Sequence, residues 1–592
     1  MTAIAGLVHL VRTPPRNGFS GWRFAALAVV IVGVGSLMVW RLVSLQVLHP
    51  ERYVEHGENQ RIRSAPLAAE RGSILDRNNV ELVVSSARQS IWADPRVITD
   101  PGATASAIVA AVGEDAEGDV ELLTRRLSNE DAKFAWMARQ LDDETVAAIT
   151  ELELPGIYTL EEQARLTPSG SEVARAILGR TDVDGIGVSG LERQYDELLT
   201  GEEGRVVVER GLASGGGQPL TIPNGRYELV TPTKGSSLIL TLDRTVQFEV
   251  ERLLIDHVSA AGAQSGTVVM SKPATGEILA MATVVRGDDD VVRVSGDNRA
   301  VTGIVEPGSI SKPLALGALL EEGLATPDTQ IQVTDELEIY DAVYSDSVRH
   351  DSDVLTAAQV LENSSNVGMA LLSDRLGKSL MHEYLSAFGV GEPTGLAFPG
   401  ESSGILAPVD EWSGVSLPSA AIGYGYAATP LQMLRAYNVF ANGGVLVEPH
   451  LVSGVIDQDG NLDILSPRDS RRVLSEATAD TLTTLLAGVV RDGTGQLASV
   501  PGYEIAGKTG TARIAQPGGG YEDENGEVHL LTSFAGFLPA SNPELSIIVV
   551  IEDPAEESSG GRLAAPLFGE ISNFALQKFR IPPAESVHEG RD

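Results

Sequence analysis

The pattern of apolar and polar positions along the chain changes character in stages. Phe24 to Trp40 runs 17 residues without a charge, and Leu42 to Leu48 continues mostly apolar. At 1.5 Å per residue the first run covers about 26 Å, close to the thickness of a bilayer core. Val120 to Leu154 recurs with helical period, through Leu122, Leu123 and Leu127, then Phe134 to Leu141, then Val146 to Ile149. Gly190 to Leu199 reads as a short amphipathic helix stopped by Gly201, and the Gly- and Pro-rich stretch Leu212 to Gly225 as a flexible loop.

Beyond residue 233 the pattern tightens. Ser237 to Leu242 alternates as a strand, and Asp243 caps a helix reaching Ala260. Gly266–Met270 and Gly276–Thr283 predict a hairpin turning at Lys272-Pro273-Ala274-Thr275. Helices are predicted over Lys312–Leu320, Met381–Phe388, Pro430–Ala441 and Pro566–Lys578. Strands are predicted leading into Lys508 and over Phe534–Leu538 and Leu545–Glu552, with Arg513–Val528 a polar loop. This order predicts an α/β (α+β) chain whose second half holds a five-stranded sheet sandwiched by helices.

Trp22 and Trp40 flank the apolar run, as interfacial aromatics do, and Arg12, Arg16 and Arg23 precede it without an acidic residue. The positive-inside rule then puts the N-terminus in the cytoplasm and the rest of the chain outside. The run is long for a signal peptide, and no small-x-small cleavage site follows it. We therefore read a cytoplasmic tail (1–20), a single transmembrane anchor (21–48), an exterior region without a plausible catalytic set (49–232), a denser domain (233–580) and a short tail (581–592).

Composition narrows the chemistry. With 44 basic and 81 acidic residues the formal charge is −37, which argues against nucleic acid and anionic lipid as main partners. The absence of cysteine excludes disulfides, zinc-thiolate sites and a thiol nucleophile. The nine histidines form no H-x-x-x-H pair, so no metal site is expected.

Three strings then name a reaction: Ser309-Ile310-Ser311-Lys312, Ser364-Ser365-Asn366 and Lys508-Thr509-Gly510-Thr511. The chain has only seven lysines, so Lys-Thr-Gly is expected by chance about once in twenty such chains. Together they supply a serine, a lysine one helical turn away to activate it, a second hydroxyl for proton relay and a cationic cradle for a carboxylate. That is the set serine acyl transfer requires. Read singly, the three strings are equally, in turn, a helix N-cap with a surface lysine, a polar helix patch and a strand running into a turn.

The arrangement resembles the penicillin-binding proteins, specifically the class B, division-type peptidoglycan D,D-transpeptidases, over almost the whole chain. Arg71-Gly72-Ser73-Ile74-Leu75-Asp76-Arg77-Asn78 and Gly190-Leu191-Glu192 with Tyr195-Asp196 resemble the family's pedestal motifs. Asn298-Arg299-Ala300-Val301, Glu306-Pro307-Gly308-Ser309, Thr429-Pro430-Leu431-Gln432, Ala441-Asn442-Gly443-Gly444 and Ser533-Phe534-Ala535-Gly536-Phe537 also match. The departures are Ser311 where Phe is usual, Tyr424 where Gln is common and Lys272 where Asp is frequent.

The resemblance implies an elongated pedestal (dimerisation-like) domain at 49–232 and a transpeptidase domain at 233–580. It implies Ser309 as nucleophile, Lys312 as base, Ser364 as proton relay and Asn366 as orienter. Lys508, Thr509, Gly510 and Thr511 would form the carboxylate site, with the backbone N–H groups of Ser309 and Thr511 as oxyanion hole. Burial and the nearby Lys508 charge would lower the Lys312 pKa. No cofactor is implied. The implied partners are peptidoglycan stem peptides ending in D-Ala-D-Ala, β-lactams, the membrane, a glycan polymerase and other divisome proteins.

Phe134–Leu141 followed by Pro155-Gly156-Ile157 looks more like the division type, and an elongation-type transpeptidase is the alternative. A β-lactamase would share the three strings but not the anchor with its large front module, and a β-lactam sensor with a degenerate site is set aside by the intact Ser309, Lys312 and Lys508. A bifunctional synthase would need a glycosyltransferase domain after the anchor.

Overall fold

The computed structural model describes residues 21–45, 62–168, 170, 173–209, 227–465, 468–516, 518–555 and 559–583. The expected cytoplasmic tail (1–20) and the expected loop Leu212–Gly225 lie outside them. The chain divides into two compact units, residues 1–68 with 203–232, and residues 69–202 with 233–592.

In the first unit, Gly21–Val43 is a 23-residue helix, the one described helix long and apolar enough to cross a membrane. The same unit holds an antiparallel sheet of Ile62–Leu67, Gly204–Glu209 and Tyr227–Val230.

The second unit is organised by two sheets. The larger takes strands from both ends of the sequence. Leu462–Ile464, Val452–Ile456, Ser237–Leu240, Ile74–Leu75, Glu81–Ala93 and Ala135–Leu141 follow in order, with Ile157–Leu166 also paired to Glu81–Ala93. The two sequence motifs read as pedestal signatures meet here. The buried Arg71 guanidinium donates at 2.7 Å to both Glu192 and Asp196, and Arg165 reaches the other Glu192 oxygen at 2.7 Å.

One expectation fails in this region. Phe134–Leu141 is not helical, because Ala135–Leu141 is a strand. Trp136 stands opposite Trp92, and Trp92 is stacked between Phe134 and Tyr158 at centroid distances of 5.0 and 4.8 Å. Cross-strand aromatic pairs of this kind outweigh a weak helical period.

The second sheet carries the site. Its strands are β1 (Ser265–Ser271), β2 (Ile278–Arg286), β3 (Val292–Val294), β4 (Ala506–Arg513), β5 (Leu530–Leu538) and β6 (Leu545–Glu552), in the antiparallel order β3-β2-β1-β6-β5-β4. The five expected strands are present, and the sixth, β3, is a three-residue edge. Alternate residues feed two cores. Val268, Met270, Ile547, Val549 and Ile551 face α1 (Arg244–Ala260) and α6 (Ala564–Lys578). Val269, Ile548 and Val550 face the other layer, α2 (Lys312–Glu321), α3 (Asn366–Ala387), α4 (Pro430–Ala441) and α5 (Glu476–Arg491).

Helix α2 is buried from Lys312 through Leu319, which its sequence permits because Lys312 is its only charge before Glu321. A helix enclosed on all sides must be apolar all round, so a lysine there requires a reason. α3 begins with the Ser365 side chain capping Gly368 N–H and is interrupted at Gly377.

Candidate active site

Ser309 stands in a tight 3-10 turn, Gly308–Ser311, that leads directly into α2. Two glycines let this turn lie against β4. Gly308 has φ +58°, and a Cβ on it would meet Ala512 Cβ at 2.9 Å. Gly510, inside the third string, would place a Cβ 3.0 Å from Ile310 and 2.3 Å from Ser533 Oγ. The first and third strings are therefore in van der Waals contact, as side chains at either position would forbid.

Lys312 is fully buried. Its Nζ donates to Ser364 O at 2.5 Å and Asn366 Oδ1 at 2.8 Å, and lies 3.2 Å from Ser364 Oγ. The second string is thus assembled around the amine of the first. Ser364 has φ +58°, a conformation costly for a residue with a side chain. It turns both its carbonyl and its hydroxyl toward Lys312. Burial pulls the Lys312 pKa down to about 7, against the opposing attraction of Asp346. A neutral amine keeps two N–H donors for Ser364 O and Asn366 Oδ1 and leaves its lone pair free to take a proton from a hydroxyl.

Lys508 is equally buried, and its Nζ donates to Thr509 O at 3.0 Å and Thr509 Oγ1 at 3.2 Å. Its pKa is driven well below the ordinary lysine value, by burial first and by the Lys312 charge second. The repulsion expected between the two lysines is therefore felt at Lys508. Thr511 is exposed, and its Oγ1 accepts from Gly560 N–H at 3.2 Å.

Two further residues belong to this site and carried no weight in the sequence reading. Asp346 follows the hairpin Glu336–Ile339 and Ala342–Ser345. It accepts from Asn366 N–H at 2.5 Å, Val367 N–H at 3.1 Å and Ser365 Oγ at 2.7 Å, a carboxylate at the N-terminus of α3. His350 reaches the same carboxylate at 3.1 Å. Thr494 places its hydroxyl 2.7 Å from that of Thr509, fixing the side chain beside Lys508. Its flanking glycines in Gly493-Thr494-Gly495 are the signal that could have marked it. Asp346 has none, since the partners that tie it to the second string lie 19 to 21 residues away.

The departures from the family pattern are also accounted for by contacts. The Tyr424 hydroxyl accepts from Arg513 N–H at 3.3 Å at the exit of β4, and its ring lies edge-on to Tyr521, 5.9 Å away. Tyr521 donates to Glu306 at 2.8 Å. Ser311 is fully buried and hydrogen-bonded to the Tyr426 hydroxyl. Lys272 is 3.4 Å from Glu277 on a partly exposed turn. Among the described residues no group of three His, Cys, Asp or Glu side chains could hold a metal ion.

A half-exposed serine one turn from a buried, proton-poor lysine, with a second serine in contact with that lysine and a second buried lysine feeling its charge, is the set of groups of a serine acyltransferase. Residues 266–573 match the penicillin-binding protein transpeptidase domain, and residues 66–219 the penicillin-binding protein dimerisation domain. Over 574 residues the chain is 33% identical to penicillin-binding protein PbpB of Mycobacterium tuberculosis, covering 92% of this chain and 83% of that one. Over 600 residues it is 31% identical to peptidoglycan D,D-transpeptidase FtsI of Escherichia coli strain K12, covering 98% and 96%.

Among solved structures, penicillin-binding protein 3 of Mycobacterium tuberculosis complexed with aztreonam superposes with a TM-score of 0.66 at 29% identity, covering 88% of this chain and 98% of that one. A peptidoglycan synthetase of Bifidobacterium adolescentis gives 0.69 at 28% identity, with the same coverage. The chain belongs to the class B penicillin-binding proteins, the peptidoglycan D,D-transpeptidases.

Proposed function

We propose that this transpeptidase cross-links stem peptides in the septal cell wall through an acyl-enzyme on Ser309. The observation that carries the reading is the buried Lys312 amine, held by Ser364 and Asn366 one turn from Ser309, with a pKa near 7. Lys312 takes the Ser309 proton as Oγ attacks the carbonyl carbon of the penultimate D-alanine. The backbone N–H groups of Ser309 and Thr511 hold the resulting oxyanion, a contribution of about a hundredfold or more in rate per donor. As the C–N bond breaks, the proton passes from Lys312 through Ser364 to the departing D-alanine amine. An amine from a neighbouring stem peptide then attacks the acyl-Ser309 ester, its proton returns through the same pair, and Ser309 is released.

The carboxylate of the substrate lies against Lys508, Thr509 and Thr511 in this reading. Its negative charge offsets the burial that otherwise strips Lys508 of its proton. With Lys508 charged, a charge on Lys312 becomes costlier, so substrate binding itself favours the neutral base. β-Lactams enter as mimics of the donor and acylate the same oxygen.

Residues 49–232 act as the pedestal and 233–580 as the transpeptidase domain, with the N-terminus cytoplasmic and the catalytic domain outside. A membrane glycan polymerase and other divisome proteins are the partners. The septal role is supported by Phe134–Leu141 followed by Pro155-Gly156-Ile157, and the elongation role is the alternative. Labelling of the full chain by fluorescent penicillin, abolished in Ser309→Ala, tests the nucleophile. No labelling of the native chain would sink the enzymatic reading. A fluorescent fusion found along the side wall rather than the septum would overturn the division role.

A further inference from the structure

The turn that presents Ser309 is fastened from behind by two tyrosines. Tyr437 donates to Ile310 O at 2.8 Å, and the Tyr426 hydroxyl is bonded to Ser311 Oγ. Ser311, Tyr426 and Tyr437 are 0, 2 and 0% exposed, so neither the hydroxyl pair nor the hydroxyl–carbonyl bond is shared with bulk water. The backbone around Tyr426 is laced to the same turn. Gly308 N–H donates to Gly423 O at 3.0 Å, and Val305 and Ala428 exchange bonds of 3.0 and 2.9 Å.

Packing alone does not require this pair. A buried hydroxyl costs free energy unless it is partnered, and two apolar groups of matching shape would fill the space without that cost. What a hydroxyl pair adds is direction. An apolar contact tolerates sliding, whereas an O–H···O bond fixes distance and angle together. In a turn of about three residues per revolution, Ser309 and Ser311 point to different sides of one axis. A bond that fixes Ser311 on the buried side therefore fixes the rotation of Ser309 on the cleft side. Displacing a reacting atom by about 1 Å can cost a hundredfold in rate, so this rotation is chemically consequential.

We propose that Tyr426, acting through Ser311, is a positioning residue that sets the attack orientation of Ser309. The inference rests on the reading of Ser309 as nucleophile. It predicts that the two hydroxyls act as one unit.

The test uses the full chain in detergent and fluorescent penicillin. The first-order acylation rate constant and the half-saturating concentration are measured for the native chain, Tyr426→Phe, Ser311→Ala and the double variant, with thermal midpoints alongside. Each single variant is expected to slow acylation about tenfold while leaving the half-saturating concentration within about twofold. The double variant is expected to be no slower than the slower single, because each single already breaks the same bond. Multiplicative losses in the double, or lowered midpoints with unchanged acylation rates, would overturn the positioning role. Ser309→Ala is read separately. Persistent labelling there refutes the nucleophile assignment, whereas a silent Ser309→Ala with multiplicative losses at 311 and 426 refutes only the positioning role.

Discussion

Asp346 Oδ1 accepts the backbone N–H of Asn366 at 2.5 Å, so a carboxylate from a hairpin end holds the first residue of α3, whose side chain in turn holds Lys312. The carboxylate has two effects on the base. It fixes the geometry of the second string, and its charge pulls the Lys312 pKa upward against burial.

Asp346→Asn separates these effects. The amide oxygen can still accept from the Asn366 and Val367 N–H groups, but the charge is gone. The acid limb of the acylation rate against pH, set by Lys312 losing its proton near pH 7, is expected to move to lower pH. Asp346→Ala removes both effects and is expected to slow acylation by about tenfold or more as the first N–H groups of α3 lose their carboxylate acceptor. Rate profiles with fluorescent penicillin between pH 5 and 9 would check both. An unmoved limb in Asp346→Asn would show that Asp346 does not tune the base.

The pH dependence of stability follows from the same lysine. Its folded pKa of about 7 lies below the ordinary lysine value of 10.5, so between these values the unfolded chain holds a proton that the folded chain does not. Stability therefore rises with pH across that window, and it is lowest and flat on this account below pH 7. Lys312→Met removes the contribution. The variant is expected to be inert toward penicillin yet more stable than the native chain at pH 6, by an amount on the order of a few kcal/mol. The gap should close as pH approaches 10. Thermal midpoints at pH 6 and 9.5 measure it, and a variant less stable than native at pH 6 would contradict it.

How far the sequence carried these residues depends on how local their constraints are. Ser309 with Lys312, and Lys508 with Thr511, were legible because one turn of helix or one strand fixes each spacing. Gly510 was legible only as part of a string, and its reason, the Ile310 side chain pressed against it, is a contact between residues 200 positions apart. Asp346 and Thr494 act from loops with no periodic neighbours; the glycines on either side of Thr494 are a weak local mark, and Asp346 has none. Ala135–Leu141 was misread because its apolar spacing fits a helix as well as a strand. The deciding partners, Trp92 and Tyr158, lie on two other strands.

The strained Ser364 offers a third test. At φ +58° glycine is unstrained, so Ser364→Gly is expected to raise stability by about 1 kcal/mol. It removes the hydroxyl that passes the proton onward and should slow acylation by about a hundredfold. A variant gaining stability while losing rate would mark the backbone strain as the cost of aiming the hydroxyl at Lys312. Unchanged acylation would remove Ser364 from the relay.

Arg71 tests the larger sheet independently of the chemistry. Its guanidinium is buried and shared between Glu192 and Asp196, and Glu192 is also paired with Arg165. Arg71→Ala withdraws one cation from a buried network and leaves Asp196 without that partner. Breaking such a network from one side typically costs about 3 kcal/mol or more. Arg71→Lys keeps the charge but cannot span both carboxylates with a single planar fork, so it is expected to recover only part of the loss. The site residues lie elsewhere in the unit, so the first-order acylation rate constant, measured below the thermal midpoint of each variant, should stay at the native value. Calorimetry of the three chains beside their acylation rates decides the matter. A large drop in rate without a drop in midpoint would mean that the Arg71 network acts on catalysis rather than on the stability of the sheet.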